Sequence, residues 1–221
     1  MPARTQHAPG TPSWVDLQTS DQSGAKTFYS ALLGWEYDDQ EMGDGAVYSM
    51  AKKNGKDVAA LAPLPMPGVP PHWNTYVTVA DVDKTAARVP GAGGSMMGDP
   101  FDVMDAGRMA IVTDPTGAML CIWQPKNHIG AYLVNEPGSL SWNELMTPDV
   151  DAAAPFYEKL FGWKRNRLAM DAMEYNELQL DGRGIAGAMK PPMDIPPGRM
   201  ATIVDPAGAV FSVLKLTEPG D

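Results

Sequence analysis

Hydrophobic and polar positions change their period at regular points along the chain. Residues 14–19 alternate as a half-buried strand does, and from Asp21 apolar side chains recur at helical spacing as far as Leu33. Gly34 follows as a helix stop. Three short strands are predicted next, over residues 35–37, 46–51 and 58–62. The pattern therefore predicts a β-α-β-β-β unit.

The same unit recurs along the chain. A second begins at residue 73, with a helix from Asp81 that is predicted to stop before Pro90. A third begins near Ser141, where Thr147 is the predicted helix cap and Pro148 the predicted first helical residue. Only the end of a fourth unit follows, over residues 200–216.

Identical residues align the two halves of the chain. Ser13-Trp14 recurs as Ser141-Trp142, and Phe28-Tyr29 recurs as Phe156-Tyr157, both 128 positions later. Repeats of this kind decide the architecture before any local pattern does.

The second half is shorter than the first. Tyr48 matches Tyr175 at a spacing of 127, but Asp114-Pro115 matches Asp205-Pro206 at a spacing of only 91, which is a shortfall of 36 residues. The loss falls near residues 190–194 and corresponds to one strand, one helix and their connections. A genuine deletion and an omission from the sequence are the two explanations. One well-formed concave cavity and one open or collapsed cavity are expected.

The division into domains follows from this layout. Residues 1–12 are expected to be a disordered tail, residues 13–127 a complete two-module domain, residues 128–138 a linker, and residues 139–221 a second domain with one complete and one truncated module.

Charge and cysteine content restrict which binding partners and which cellular compartment are expected. The net charge is −10, from 17 basic and 27 acidic residues with no basic cluster, which argues against nucleic acid and anionic membrane surfaces as partners. Cys121 is the only cysteine, so no disulfide can form within the chain. No apolar run has signal-peptide or transmembrane character, and a cytoplasmic location is expected.

Tandem β-α-β-β-β units with a D-P-x-G hairpin before the last strand resemble the vicinal oxygen chelate superfamily. This superfamily includes glyoxalases, extradiol dioxygenases and bleomycin-resistance proteins, and the likeness covers residues 13–217. Actinobacterial members labelled hydroxylases, and accessory proteins of anthracycline biosynthesis clusters, are especially similar. The resemblance implies an α+β fold of curved, barrel-like mixed sheets with helices outside and a truncated fourth module.

The resemblance also implies where metal ligands would lie. Metal-using members carry His or Gln in the first strand of a module and Glu in the last. The corresponding residues in this chain are Trp14, Asn74, Trp142, Cys121 and Ser212. Because this set lacks convergent imidazole and carboxylate donors, no metal and no other cofactor is expected.

Strand alternation instead predicts a ligand-binding wall of aromatic, thioether and polar side chains. The predicted ligand-binding residues are Trp14, Asp16, Gln18, Asn74, Tyr76, Met119, Cys121, Trp123, Trp142, Glu144, Met146 and Ser212. The leading hypothesis is metal-independent binding of a hydrophobic, polycyclic aromatic small molecule, for sequestration, self-resistance or support of a biosynthetic enzyme.

Two alternatives remain. The first is a cofactor-independent lyase, isomerase or hydroxylase-like enzyme of natural-product biosynthesis that uses the inward carboxylate of Asp16 or Glu144. The second is an interaction protein whose unpaired strand edge in the truncated module is covered by a partner or by a second copy of the chain. A binding protein is favoured over an enzyme because tryptophan, asparagine, cysteine and serine stand at the superfamily's metal-ligand positions.

Overall fold

The computed structural model describes residues 3–170, 173–189 and 198–216. The first module comprises β1 (Pro12–Thr19), α1 (Gln22–Leu33), β2 (Glu36–Gly43), β3 (Ala46–Lys53) and β4 (Lys56–Pro63). The second comprises β5 (His72–Thr78), α2 (Val82–Ala92), β6 (Ser95–Met96), β7 (Phe101–Val103), β8 (Gly107–Thr113) and β9 (Met119–Pro125). The third comprises β10 (Glu144–Met146), α3 (Val150–Phe161), β11 (Lys164–Met170), β12 (Met173–Leu180) and β13 (Arg183–Met189). Two strands of the fourth module follow, β14 (Gly198–Val204) and β15 (Val210–Leu216).

The first two modules share one curled nine-stranded sheet. Its order is β2-β3-β4-β1-β5-β9-β8-β6, with β7 also paired to β8. At its centre β1 and β5 run antiparallel, and each has a parallel partner on its other side, β4 and β9 respectively. The third module forms a separate sheet of order β10-β13-β12-β11, and β14 pairs with β15. The predicted α+β fold of curved mixed sheets with a truncated fourth module is confirmed.

The helices α1, α2 and α3 begin and end in the same way. The carboxylates of Asp21, Asp81 and Asp149 each accept a hydrogen bond from the backbone N–H three residues later. Each helix ends at a glycine in the left-handed conformation, which a Cβ would oppose.

Two predicted helix boundaries were wrong. The second helix continues through Pro90 to Ala92, because a proline in the last turn removes only one backbone donor and the turn is closed by Gly93, whose N–H donates to the Pro90 carbonyl. In the third helix the cap is Asp149 rather than Thr147, and Pro148 precedes the helix. The hydroxyl of Thr147 instead accepts a hydrogen bond from the Asp149 N–H at 3.2 Å.

Helices pack against hairpins of other modules in a reciprocal arrangement. The hydroxyl of Tyr29 in α1 donates to Asp205 Oδ2 at 3.1 Å, in the turn before β15. The hydroxyl of Tyr157 in α3 donates to Asp114 Oδ2 at 3.1 Å, in the turn before β9. The first module therefore rests on the fourth, and the third rests on the second.

The tryptophans after α1 and α3 repeat this symmetry. Trp35 stacks on Tyr29 at 5.3 Å and donates its ring N–H to the Gly138 carbonyl at 2.7 Å. Trp163 stacks on Tyr157 at 5.2 Å and donates to the Gly10 carbonyl at 2.7 Å. These two tryptophans hold the core beneath the helices and lie away from the concave face, as expected from their places in the repeat.

The segment before β1 lies along the linker. The backbone N–H of Arg4 donates to the Tyr132 carbonyl at 2.8 Å, and His7 hydrogen-bonds the Ala131 carbonyl at 2.8 Å. Within the described ranges no helix is long and apolar enough to cross a membrane.

Candidate functional site

Alternation along β1 separates two faces of the large sheet. Leu17 is fully buried with Tyr29 beneath α1, on the outer side. Trp14 packs on the concave side with Tyr76 and Cys121. The period of two that predicted inward-facing side chains in β1 therefore holds in this strand.

Asp16 lies at the centre of the concave face, where β1 meets β5. Its side chain is only 2% exposed. Oδ1 accepts a hydrogen bond from Asn74 Nδ2 at 2.8 Å, and Oδ2 accepts from the hydroxyls of Tyr76 at 2.7 Å and Tyr48 at 3.1 Å. The ring N–H of Trp14 donates to the Tyr48 hydroxyl at 3.0 Å. Both oxygens of the carboxylate are thus supplied with donors.

Burial controls protonation at this centre. It raises the pKa of Asp16 above the ordinary value, and the hydrogen bonds from Tyr76, Asn74 and Tyr48 act in the opposite direction. Burial also raises the pKa of Tyr48 and Tyr76 well above the usual range, so both remain hydroxyl donors. The Cys121 thiol is buried, and its pKa is raised first by desolvation and then by the Asp16 charge, so it is not a thiolate.

The linker covers the first concave face. The His128 ring meets Trp14 edge-on, with centroids 4.6 Å apart, and the ring N–H of Trp123 donates to the His128 carbonyl at 2.9 Å. The backbone N–H of Ala131 donates to the Ser13 carbonyl at 2.8 Å. Burial lowers the pKa of His128 to about 4, so the ring is neutral at pH 7.

The third module also has a tryptophan, a tyrosine and a carboxylate at the corresponding positions. Glu144 in β10 corresponds to Asp16, and its Oε1 accepts hydrogen bonds from Trp142 Nε1 and from the Tyr175 hydroxyl, both at 2.7 Å. Trp142 Nε1 also lies 3.0 Å from the Tyr175 hydroxyl oxygen. We call Trp14, Tyr48 and Asp16 the first triad, and Trp142, Tyr175 and Glu144 the second triad.

The second triad is incomplete on one oxygen. Glu144 Oε2 is buried and has no hydrogen-bond partner among the described residues. Burial raises the pKa of Glu144, opposed by the hydrogen bonds from Tyr175 and Trp142. The carboxylate lies directly over Gly187, where an added Cβ would be 2.4 Å from Oε2.

A sequence profile of the glyoxalase/bleomycin resistance protein/dioxygenase superfamily matches residues 11–122. The chain belongs to this superfamily. The protein named "Putative glyoxylase CFP32" from Mycobacterium tuberculosis is 44% identical, over 97% of this chain and 98% of its own length. Anthracycline biosynthesis protein DauV from Streptomyces sp. (strain C5) is 31% identical, over 97% of this chain and 96% of its own.

Solved structures in the superfamily share the fold. The Mn(II)-bound glyoxalase from Novosphingobium aromaticivorans superposes with a TM-score of 0.66 at 16% identity, covering 92% of this chain and 81% of that one. The homoprotocatechuate 2,3-dioxygenase of B. fuscum, as its Y257F variant, gives a TM-score of 0.65 at 16% identity, covering 97% and 74%.

The relatives are longer within the aligned region. The alignment with CFP32 runs over 256 positions, whereas this chain has 221 residues, so at least 35 of its positions have no counterpart here. This length agrees with the 36-residue shortfall between the two halves of the chain.

The residues at the superfamily's metal positions do not fit a metal ion. The ring N–H of Trp14 and the amide of Asn74 act as donors, and Cys121 is a buried neutral thiol. In the part of the chain that the structure describes, no three His, Cys, Asp or Glu side chains lie close enough to hold a metal. The donor chemistry is that of a hydrogen-bonded polar centre in an aromatic cluster.

The structure brings some of the predicted site residues together and leaves others apart. One cluster contains Trp14, Asp16, Asn74, Tyr76, Cys121 and Trp123. Trp142 and Glu144 meet in the second triad, and Gln18 is half-buried opposite His72. The remaining three, Met119, Met146 and Ser212, are exposed.

Three residues of the candidate site were missed from sequence. Tyr48 and Tyr175 complete the triads, and their match across the repeat was a usable signal, because polar residues that recur with Trp14 and Trp142 share their surroundings. His128 was assigned to the linker, where no periodicity indicates its contact with Trp14.

Proposed function

We propose that this protein binds a hydrophobic, polycyclic aromatic small molecule without a metal ion, for sequestration, self-resistance or support of a biosynthetic enzyme. The observation that carries the proposal is the replacement of metal-binding chemistry by two triads of tryptophan, tyrosine and carboxylate. Such triads supply flat apolar surface together with fixed hydrogen-bonding groups, which is the usual composition of an organic-ligand site.

The aromatic content of the triads favours a flat ligand. Trp142 in the second triad is half-buried, so part of its ring is open to a ligand. A good aromatic pair contributes about 0.5–1.5 kcal/mol beyond the buried area. The name of the relative DauV places it in anthracycline biosynthesis, and this supports a polycyclic quinone as the ligand class.

A fluorescence titration tests the proposal. Chelator-treated protein is titrated with a neutral hydroxyanthraquinone while tryptophan emission is followed, and a small aldehyde serves as the control ligand. The expected result is saturable quenching in the micromolar range by the quinone alone, with the quinone recovered unchanged. Trp142→Phe should weaken binding, because it removes the indole of the second triad.

The result that would contradict the proposal is equally direct. Quenching that stays linear with quinone concentration, or saturation that appears only after zinc or manganese is added back, would exclude metal-independent binding at this fold. Equal binding by the wild type and Trp142→Phe would place the ligand elsewhere.

A second candidate function is acid–base catalysis without a cofactor. The observation that favours it is the pair of inward carboxyls, Asp16 and Glu144, whose pKa values burial raises above the ordinary range, in the direction that favours a proton donor or acceptor role. Glu144→Gln should then abolish conversion of a bound quinone while binding persists. Recovery of unchanged ligand from the wild type would eliminate this candidate.

A further inference from the structure

The two triads differ in what completes them. In the first, Asn74 and Tyr76 of β5 supply a donor to each oxygen of Asp16, and Tyr48 adds a third. The counterpart of β5 in the fourth module falls in the 36-residue shortfall. Among the described residues, Glu144 therefore accepts hydrogen bonds only from its own module.

Both of those donors reach the same oxygen. Trp142 and Tyr175 donate to Glu144 Oε1, whereas Oε2 is buried and has no partner among the described residues. A buried carboxylate oxygen that lacks a donor is costly and calls for an explanation. Glu144 Oε2 corresponds to Asp16 Oδ1, which accepts from Asn74 of β5 in the first triad.

In the part of the chain that the structure describes, the surroundings of Glu144 also lack a compensating charge. No lysine or arginine in the described ranges forms an ion pair with this carboxylate. A buried carboxylate without a cation is stabilised strongly when a positively charged donor approaches. The bound partner that best suits Oε2 is therefore a cation with an N–H group.

Access separates the two triads as well. Asp16 is 2% exposed beneath a concave face that His128 covers. Glu144 and Trp142 are both half-buried, so the second triad is open on one side. Because Oε2 is itself buried, a ligand reaches it only if the Glu144 side chain turns towards the open side of the second triad; the linker need not move.

We infer that Glu144 Oε2 anchors the ammonium group of an amine-bearing aromatic ligand whose ring system lies against Trp142. The inference rests on the proposed function and adds the ligand's charged group and the oxygen that receives it. The second half of the chain thereby becomes the ligand-binding half, and the first triad becomes a structural centre.

The test compares two probes on the full chain. One is an anthraquinone with a primary aminoalkyl side chain, and the other is its N-acetyl derivative, which has the same ring system and no charge. Wild type should bind the amine at least 10-fold more tightly. Glu144→Gln should bind both probes equally, because the isosteric amide lacks the negative charge.

Glu158→Gln is the matched control. This residue lies on the exposed surface of α3 in the same module, so its substitution removes one negative charge without touching the second triad. It should keep the preference for the amine. The comparison of the two probes on wild type needs no variant and stands even if Glu144→Gln fails to fold.

The outcomes separate the two proposals. Equal affinity of wild type for the amine and the N-acetyl probe, or an amine preference that persists in Glu144→Gln, overturns the inference about Glu144 and leaves the proposed function in place. Failure of both probes to bind wild type overturns the proposed function itself.

Discussion

Glu144 and Gly187 face each other across the β10–β13 pair, and the corresponding residues of the first module are Asp16 and Ala60 across the β1–β4 pair. Relative to the first module, the acidic side chain of the third module is one carbon longer and the side chain opposite it is one carbon shorter. The longer carboxylate of the third module is accommodated because its neighbour has no Cβ. This exchange predicts that Gly187→Ala is harmful alone and tolerated when Glu144 is shortened to aspartate.

The clash can be estimated from the structure. A Cβ on Gly187 would lie 2.2 Å from the Tyr175 hydroxyl oxygen and 2.4 and 2.7 Å from the two oxygens of Glu144. Overpacking of this kind typically costs about 1–3 kcal/mol. Moving the carboxylate would also weaken its bonds to Tyr175 and Trp142, which are 2.7 Å long. Because Glu144 is half-buried and partly screened, we expect a total of about 2–3 kcal/mol for Gly187→Ala.

The double substitution should recover most of this loss. Glu144→Asp alone withdraws the carboxylate from its two donors and should cost about 1–2 kcal/mol. Glu144→Asp with Gly187→Ala recreates the pair found in the first module, so its stability should return to within about 1 kcal/mol of wild type. The implied coupling of about 2 kcal/mol or more lies in the range measured for residues in contact.

Urea unfolding followed by tryptophan fluorescence measures all four proteins of this cycle. Gly91→Ala is the control, because an added Cβ there meets no atom within 4 Å; it should change stability by less than about 1 kcal/mol. If the two substitutions simply add in the double variant, the exchange of a carbon between β10 and β13 is not the reason for Gly187, and the reasoning is refuted.

Three further predictions concern protonation and the reciprocal packing. Because burial raises the folded-state pKa of Asp16, its stabilising contribution is complete below the ordinary aspartate pKa and is lost as the pH rises through the raised value. The stability of wild type relative to Asp16→Asn should therefore fall as the pH rises above the ordinary aspartate pKa of 3.8 in urea titrations, and a constant difference would contradict the assignment. For His128, with a folded-state pKa of about 4 against an ordinary 6.5, wild type should lose stability as the pH falls through that window, by at most about 1.4 kcal/mol per pH unit. His128→Phe, which also replaces a ring nitrogen that is buried without a partner among the described residues, should reduce this dependence; an unchanged pH profile would show that the ring is not buried against Trp14. Tyr29→Phe and Tyr157→Phe should each cost about 1 kcal/mol in thermal or urea unfolding, since each deletes one buried hydrogen bond to an aspartate; a loss in Tyr157→Phe alone would mean that the hairpin of β14 and β15 is not seated on α1.

Strand alternation and the repeat were sufficient to predict the cluster around Trp14 and Asp16. Trp14 and Asp16 share a face because successive strand residues point to opposite sides, and the same rule orients Asn74 and Tyr76. The repeat then placed β1 and β5 at equivalent positions of two modules. These residues could be predicted because their convergence needs only a period of two and a symmetric fold.

The contacts that could not be predicted depend on the path of irregular backbone. His128 reaches Trp14 because the linker is held by bonds such as that from the Ala131 N–H to the Ser13 carbonyl. No hydrophobic period encodes such a bond. The lack of a hydrogen-bond donor to Glu144 Oε2 among the described residues could not be predicted either, because it depends on which strand lies beside β10 rather than on β10 itself.

The seat of α1 on the fourth module has a consequence for how the chain acquires its structure. The hydroxyl of Tyr29 donates to Asp205, which lies 176 positions later in the chain, and the ring of Phe28 packs edge-on against Phe211. Contacts between segments so far apart form slowly, so the apolar face of α1 stays exposed during synthesis until the β14–β15 hairpin has been made. The packing of α1 is thus completed only when the β14–β15 hairpin, which spans 19 residues, has folded against it.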